Sequence, residues 1–268
     1  MSRDRYAVIG NPVAHSLSPK IHALFAQHTG EELEFSRLHS PPDEFDTSAS
    51  SFFGRGGLGL SVTAPFKNDA FHWVDRVDVL ARECGAVNTI VYRDGETTGY
   101  NTDGLGLKKD LERLGWLKQG ARILVLGAGG AASGVLGPLL REGCLVTVAN
   151  RTESKLSNLK ERFPDLSMLP LSEAGGSWDI VINATSAFLH GESLQFDLAI
   201  TSKSRCYDLS YQSDGLTGFV VASQQNDARA VSDGLGMLVF QAAEAFSLWR
   251  NVELENEVAS NVLSRLRS

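Results

Sequence analysis

The segment ARILVLGAGGAASGVLGPLL, residues 121–140, limits the possible folds more than any other stretch of the chain. An apolar run over 122–126 stops at Gly127, and small residues then lead into a helical pattern. Strand, glycine turn and helix start stand in the order that a dinucleotide-binding unit requires. Gly127 permits the tight turn, Gly129 lets the backbone approach a pyrophosphate, and Ala132 allows close packing of helix on strand. The N-terminus of such a helix also offers free N–H groups and the positive end of its dipole to phosphate. A plain strand-to-helix turn is the alternative. The position of the turn, between one buried-type strand and the next, favours the nucleotide.

The next strand carries the discriminating detail. A site for NAD usually ends this strand with Asp or Glu, roughly 20 residues beyond the glycines, to hold the ribose hydroxyls. Here the sequence reads VTVANRTESK, so Asn150, Arg151, Thr152 and Lys155 supply donors and positive charge instead. A guanidinium grips phosphate through its planar fork, which suits a 2′-phosphate and hence NADP. The competing view makes Arg151 and Lys155 solvated residues at a helix start. Michaelis constants for the two cofactors separate these readings.

At 268 residues the chain is long enough for two modest domains. Short β-type runs at 6–9, 34–38, 57–63 and 86–92 alternate with helical ones at 19–27 and 64–74, an α/β pattern. Ser18 followed by Pro19 has the chemistry of an N-cap and first helical position. After Tyr100 the pattern restarts, with Thr102 or Asp103 capping a helix that runs to Leu114 and ends at Gly115. Near-continuous apolar runs at 122–126, 145–149, 179–184 and 205–209 predict parallel strands buried on both faces, a doubly wound sheet. Helical spacing from Leu235 through Trp249 and an amphipathic stretch at 252–266 have no sheet of their own and are expected to pack back on the first domain.

Hydrophobic residues make up 43% and charged residues 21%, without a long apolar run, as in an ordinary globular chain with no membrane segment. The formal charge of −7 and the lack of a dense Lys/Arg cluster argue against nucleic acid or an anionic membrane as partner. The apolar run at 6–9 is too short for a signal-peptide core, so a cytoplasmic location is expected. Cys84, Cys144 and Cys206 are far apart and read as reduced, buried thiols. The histidines show no metal-ligand spacing, and no metal is predicted.

Three further segments are poorly explained by packing. In GNPVAHSLSPKIH, Ser16 and Ser18 present two hydroxyls just after a strand, donors able to bind a carboxylate. In SVTAPFK, Lys67 lies in the first turn of a helix, where a cation opposes the dipole and needs another reason to be there. GAVNT and GYNTDGLG place Asn88 and Asp103 at the ends of a short β segment and its return, where caps and turns are an equal explanation.

In order along nearly the whole chain, GNPVAHSLSP, SVTAPFK, GAVNT, NTDGLG, GAGGAA, NRTESK, NATS and DGLGMLVFQAAEAF resemble the shikimate/quinate dehydrogenase family, and in particular its NADP-dependent shikimate dehydrogenases. The resemblance implies an N-terminal α/β substrate domain over 1–102, a doubly wound Rossmann NADP-binding domain over 103–237, and C-terminal helices, 238–268, returning to the first domain. It implies that the two domains clasp across a cleft. It also implies reversible reduction of 3-dehydroshikimate to shikimate on the route to chorismate and the aromatic amino acids, by a monomer or homodimer.

Carried over by position, Lys67 and Asp103 are the catalytic pair. Ser16 and Ser18 hold the substrate carboxylate, with Tyr211 near it, and Thr63, Lys67, Asn88, Asp103 and Gln241 hold the hydroxyls. NADP falls to Gly127, Ala128, Gly129, Gly130, Ala131, Asn150, Arg151, Thr152, Lys155, Ala184, Thr185, Ser186 and Leu209, with Gly234 and Met237 bordering the nicotinamide. Without the resemblance, Met237 reads as helix core and Gln241 as helix surface. The Tyr-x-x-x-Lys acid motif of short-chain reductases is absent, which leaves Lys67 as the proton donor.

The chain departs from the family pattern in three places. His22 is followed by Ala23 instead of Asn. Ala187, Phe188 and Leu189 replace a Gly-Met loop after NATS, and Gln212 and Ser213 replace a Tyr-x-Pro turn after Tyr211. Two other functions remain open at this level: a dehydrogenase of broader taste that accepts quinate or an amino analogue of shikimate, and a catalytically idle cofactor or substrate sensor on the same fold.

Overall fold

Two six-stranded sheets organise the computed structural model, which describes residues 3–185, 197–212 and 214–268. The chain divides into two compact units, Met1–Gly106 with Leu238–Ser268, and Leu107–Met237.

The first unit contains β1 (Asp4–Gly10), α1 (Ser18–Thr29), β2 (Leu33–His39), α2 (Phe45–Gly54), β3 (Gly57–Val62), α3 (Lys67–Trp73), β4 (Arg76–Val77), α4 (Val79–Cys84), β5 (Thr89–Arg93) and β6 (Glu96–Tyr100). Its sheet order is β2-β1-β3-β5-β6-β4. Strands β2, β1 and β3 run parallel, whereas β5 is antiparallel to both β3 and β6. The expected single strand over 86–92 is therefore the first arm of a hairpin. Asp94 and Gly95 turn it with φ of 55° and 85°, the two positive values that a tight hairpin turn needs for its twist to match that of the strands.

The expected cap at Ser18 is corrected. Leu17 occupies the N-cap position with no side-chain capping bond, and Ser18 is already the first helical residue, with Pro19 beside it. The helix expected over 64–74 forms only from Lys67, because Pro65 disfavours helical backbone in the residue before it.

The end of the chain, α9 (Leu235–Arg250) and α10 (Asn256–Arg267), supplies the rest of the first unit from Leu238 onward. Trp249 donates its indole N–H to the Ile90 carbonyl at 2.9 Å, and its ring lies 5.0 Å from that of Tyr6. Arg250 pairs with both Asp4 and Glu31. The last helix starts at Asn256, four residues later than the amphipathic pattern suggested.

The second unit runs from within α5 (Asp103–Arg113) through β7 (Arg122–Leu126), α6 (Gly130–Arg141), β8 (Leu145–Asn150), α7 (Glu153–Arg162), β9 (Ser167–Pro170), β10 (Ile180–Asn183), β11 (Arg205–Asp208), α8 (Gly218–Gln225) and β12 (Ala230–Ser232). All pairings are parallel, in the order β12-β11-β10-β7-β8-β9. This is the doubly wound order, with its switch point between β7 and β10. Alternate residues of the central strands enter opposite cores. Ile123, Val125, Ile180 and Ile182 pack on one face, and Leu124, Leu126, Val181 and Cys206 on the other. A strand covered on both sides needs apolar residues at every position, hence the unbroken runs in the sequence. Cys84, Cys144 and Cys206 are all buried thiols. No helix among the described residues is long and apolar enough to cross a membrane.

Candidate active site

In the first unit, strand pairing gathers the polar residues at one end of the sheet. Parallel pairing of β1 with β3 sets Ile9 opposite Val62, so the segments that follow both strands run side by side, joined by a 3.0 Å bond from Asn11 N–H to the Ala64 carbonyl. Ser16 and Ser18 lie on the first segment, Thr63 and Lys67 on the second. The hairpin brings in two more. Thr89 pairs with both Ser61 and Tyr100, so Asn88, just before β5, and Asp103, just after β6, reach the same end.

Lys67 and Asp103 meet there. Lys67 Nζ donates to Asp103 Oδ2 at 2.5 Å, with the lysine side chain 24% exposed and the carboxylate 7%. The other carboxylate oxygen, Oδ1, accepts from Asn88 Nδ2 at 2.8 Å. Asn88 is in turn fixed at its Oδ1 by the Thr102 N–H and the Thr89 hydroxyl, both at 2.9 Å. Thr102 Oγ1 accepts from Asn88 Nδ2 at 3.0 Å and donates to Gln241 Oε1 at 3.2 Å. Gln241, a helix-surface residue by pattern alone and a substrate ligand by the resemblance, is buried at 9% exposure because it joins this network. Thr89 and Asn101 have no role in the motif reading, and Thr102 figures there only as a possible helix cap. The signal for Asn101 was local: its Oδ1 caps the Asp103 N–H two residues on, at 3.1 Å, and its Nδ2 donates to the Ala86 carbonyl. A buried carboxylate with both oxygens engaged cannot rotate freely, so the ammonium it holds is aimed.

The two serines form a second group. Ser16 Oγ donates to Ser18 Oγ at 3.2 Å and accepts from the Ser18 N–H at 3.3 Å. They sit at the N-terminus of α1, which has neither an acidic residue in its first turn nor a side-chain cap. With the Ser18 N–H taken by Ser16 Oγ and no N–H on Pro19, it is chiefly the dipole at this end that favours an anion. Thr63, just after β3, is half-buried, its N–H bonded to the Ile9 carbonyl at 3.0 Å.

In the second unit the glycine turn sits at the switch point. Gly127 has φ of 108°, and a Cβ there would lie 3.0 Å from the Ala184 carbonyl oxygen, so both conformation and space call for glycine. Ala128 is buried, whereas a Cβ on Gly129 or Gly130 would meet nothing within 4 Å. Packing therefore gives no reason for the second and third glycines. Room left open at the uncapped start of α6 gives one: a phosphate fits against the bare backbone. Ala131 follows in the first turn of that helix.

At the end of β8, Asn150 is half-buried, while Arg151, Thr152 and Lys155 are exposed, and Arg151 and Lys155 make no ion pair among the described residues. At the end of β10, Asn183 Oδ1 accepts from the Thr185 hydroxyl at 2.7 Å, which fixes Ala184 and Thr185 beside the turn. Leu209 and Gly234 are brought together, since a Cβ on Gly234 would fall 2.2 Å from the Leu209 carbonyl oxygen. Met237 is buried and its N–H is held by the Tyr207 hydroxyl at 3.1 Å. Tyr211 is half-buried in this unit. Ser186, the loop at 187–189 and Ser213 lie outside the described residues.

Known proteins match the chain from end to end. The family described as "Shikimate dehydrogenase substrate binding domain" matches residues 8–90, "Shikimate / quinate 5-dehydrogenase" residues 111–190, and "Shikimate 5'-dehydrogenase C-terminal domain" residues 234–256. The shikimate dehydrogenase (NADP(+)) of Bordetella avium is 44% identical over 275 residues, covering 98% of this chain and 95% of that protein. The chain belongs to the shikimate dehydrogenase family. Among solved structures, an Ael1 enzyme from Pseudomonas putida is similar with a TM-score of 0.90 at 38% identity, covering 98% of each chain. The shikimate 5-dehydrogenase of Thermus thermophilus, solved in complex with NADP(H) and shikimate, is similar with a TM-score of 0.87 at 31% identity, covering 98% of this chain and 99% of that one.

Proposed function

We propose that the chain catalyses the reversible NADPH-dependent reduction of 3-dehydroshikimate to shikimate, in the cytoplasm and on the route to chorismate. The observation that carries the reading is the Lys67–Asp103 pair, 2.5 Å apart and locked by Asn88. Three buried thiols suit a reducing compartment. As a monomer or a homodimer, the enzyme needs no partner beyond its small-molecule ligands.

The chemistry divides between cofactor and protein. Bound NADPH supplies the hydride. Gly127 to Ala131 hold its pyrophosphate, Ala184, Thr185 and Ser186 also belong to the cofactor site, and Asn150, Arg151, Thr152 and Lys155 receive the 2′-phosphate. Leu209, Gly234 and Met237 border the nicotinamide. Ser16 and Ser18 hold the substrate carboxylate with their hydroxyls and the start of α1, and Tyr211 lies near it. Thr63, Asn88, Asp103 and Gln241 hold the ring hydroxyls.

Lys67 gives a proton to the carbonyl oxygen as it becomes the alcohol, and takes it back in the reverse direction. Asp103 orients the Lys67 ammonium through Oδ2. With roughly a quarter of its side chain exposed, Lys67 is re-protonated from solvent.

The test follows NADPH absorbance with purified protein, NADP and saturating shikimate. Turnover that disappears in Lys67→Ala supports the proposal, and absence of turnover in a folded, NADP-binding wild-type protein refutes it. The matched family description names quinate beside shikimate. Parallel kinetics with the two acids therefore measure how far the same site accepts the second.

A further inference from the structure

Arg37 is on the edge strand β2 and is exposed, yet it makes no ion pair among the described residues. Its guanidinium is spent on one backbone oxygen. Nη2 donates to the Ser16 carbonyl at 2.6 Å, and Nε donates to the same oxygen at 3.1 Å. Parallel register sets Arg37 beside Val8, two residues before β1 ends and the loop to α1 begins. The side chain thus reaches across that loop and ties it to the sheet. Apart from the two serine bonds, the loop is otherwise held by Ser16 N–H to the Val13 carbonyl and Asn11 N–H to the Ala64 carbonyl, each at 3.0 Å.

The tied residue is one of the two whose hydroxyls face an uncapped helix start with no acid in its first turn. Ser18 is only 4% exposed, so its hydroxyl direction is set by Ser16, and Ser16 is set by Arg37. We propose that Arg37 is a positioning residue for the substrate carboxylate: it fixes the Ser16 peptide so that the Ser16 and Ser18 hydroxyls are aimed together, and it adds positive charge at that end of α1. This rests on the assignment of the two serines to the carboxylate. Lysine does not replace it fully, because a single ammonium cannot reproduce a planar fork closing on one oxygen from two nitrogens.

Steady-state kinetics of the whole enzyme at saturating NADP test the assignment, using Arg37→Ala, Arg37→Lys, Arg37→Gln and Ser16→Ala. The expected result is a rise in the shikimate KM of about tenfold in Arg37→Ala and less in Arg37→Lys, with kcat and the NADP KM within about twofold of wild type and the melting temperature unchanged. Added salt raises the wild-type shikimate KM by screening, and the dependence is expected to be shallower in Arg37→Gln, a difference that a purely structural role does not produce. A shikimate KM unchanged in Arg37→Ala and Arg37→Gln but raised in Ser16→Ala overturns the role of Arg37 alone. A parallel loss of stability and of affinity for both ligands also overturns it. No change in Ser16→Ala overturns the serine assignment, and the role of Arg37 with it.

Discussion

His22 offers a quantitative test of the packing in the first unit. It is fully buried on α1, stacked on Phe35 with ring centroids 4.2 Å apart, and ringed by Phe25, Phe246 and Trp249. Neither ring nitrogen has a hydrogen-bond partner among the described residues. Burial alone pushes its pKa from 6.5 down to about 3, because an imidazolium there would lose its water with nothing in return. The unfolded chain therefore binds a proton that the folded one refuses. Stability is unaffected above about pH 6.5 and is lost progressively as the pH falls toward 3. Each pH unit in that window removes up to about 1.4 kcal/mol, so by about pH 5 the loss attributable to His22 reaches roughly 2 kcal/mol.

Carboxylates also titrate in acid, so the informative quantity is the difference between wild type and His22→Leu. Leucine is close in volume, does not titrate and leaves no polar atom unpaired. Urea unfolding at about pH 7 and about pH 5 measures both proteins. The variant is expected to lose roughly 2 kcal/mol less than wild type between the two conditions. Parallel stability curves would refute the reasoning and require that His22 ionises in the fold.

Lys67→Ala is expected to lower kcat by about a hundredfold or more with the NADP KM little changed, and Asp103→Ala to impair both turnover and shikimate binding, by steady-state kinetics. Arg151→Ala should raise the NADP KM by about tenfold and leave the KM for NAD unaltered, since only NADP carries the 2′-phosphate. Gly236→Ala is expected to destabilise the second unit by about 2 kcal/mol in thermal unfolding, because its Cβ would fall 2.1 Å from the Asp110 carboxylate, itself bonded to Arg113 and the Tyr207 hydroxyl.

What the sequence made legible follows from how each element is buried. The strands of the second unit are covered on both faces, so their apolar runs mark their own limits. The run at 122–126 matches β7, and that at 145–149 falls one residue short of β8. Elements covered on one side, or very short, left weaker marks. In α2, Phe45, Ala49, Phe52 and Phe53 keep helical spacing, but Ser and Thr between them dilute it, while β4 and β12 are too short to show a period.

The site divides in the same way. Lys67, Asp103 and Asn88 are flagged by motif, and the short β segment and return between Asn88 and Asp103 is the hairpin turned at Asp94-Gly95 on which their cooperation depends. The register, Thr89 against Tyr100, is what brings Asn88 within reach of residues 101–103, and no local pattern states it. Thr102 is a harder case. A buried threonine hydroxyl that accepts from an asparagine fourteen residues earlier and donates to a glutamine far down the chain carries no local signature. Its function lies in satisfying partners that only tertiary pairing supplies. Arg37 is the same kind of residue at the surface, an exposed charge on an edge strand by pattern and a clamp on the Ser16 peptide by geometry. Local pattern therefore locates the groups proposed to meet ligands, and the residues that hold them in place become visible only once the strands are in register.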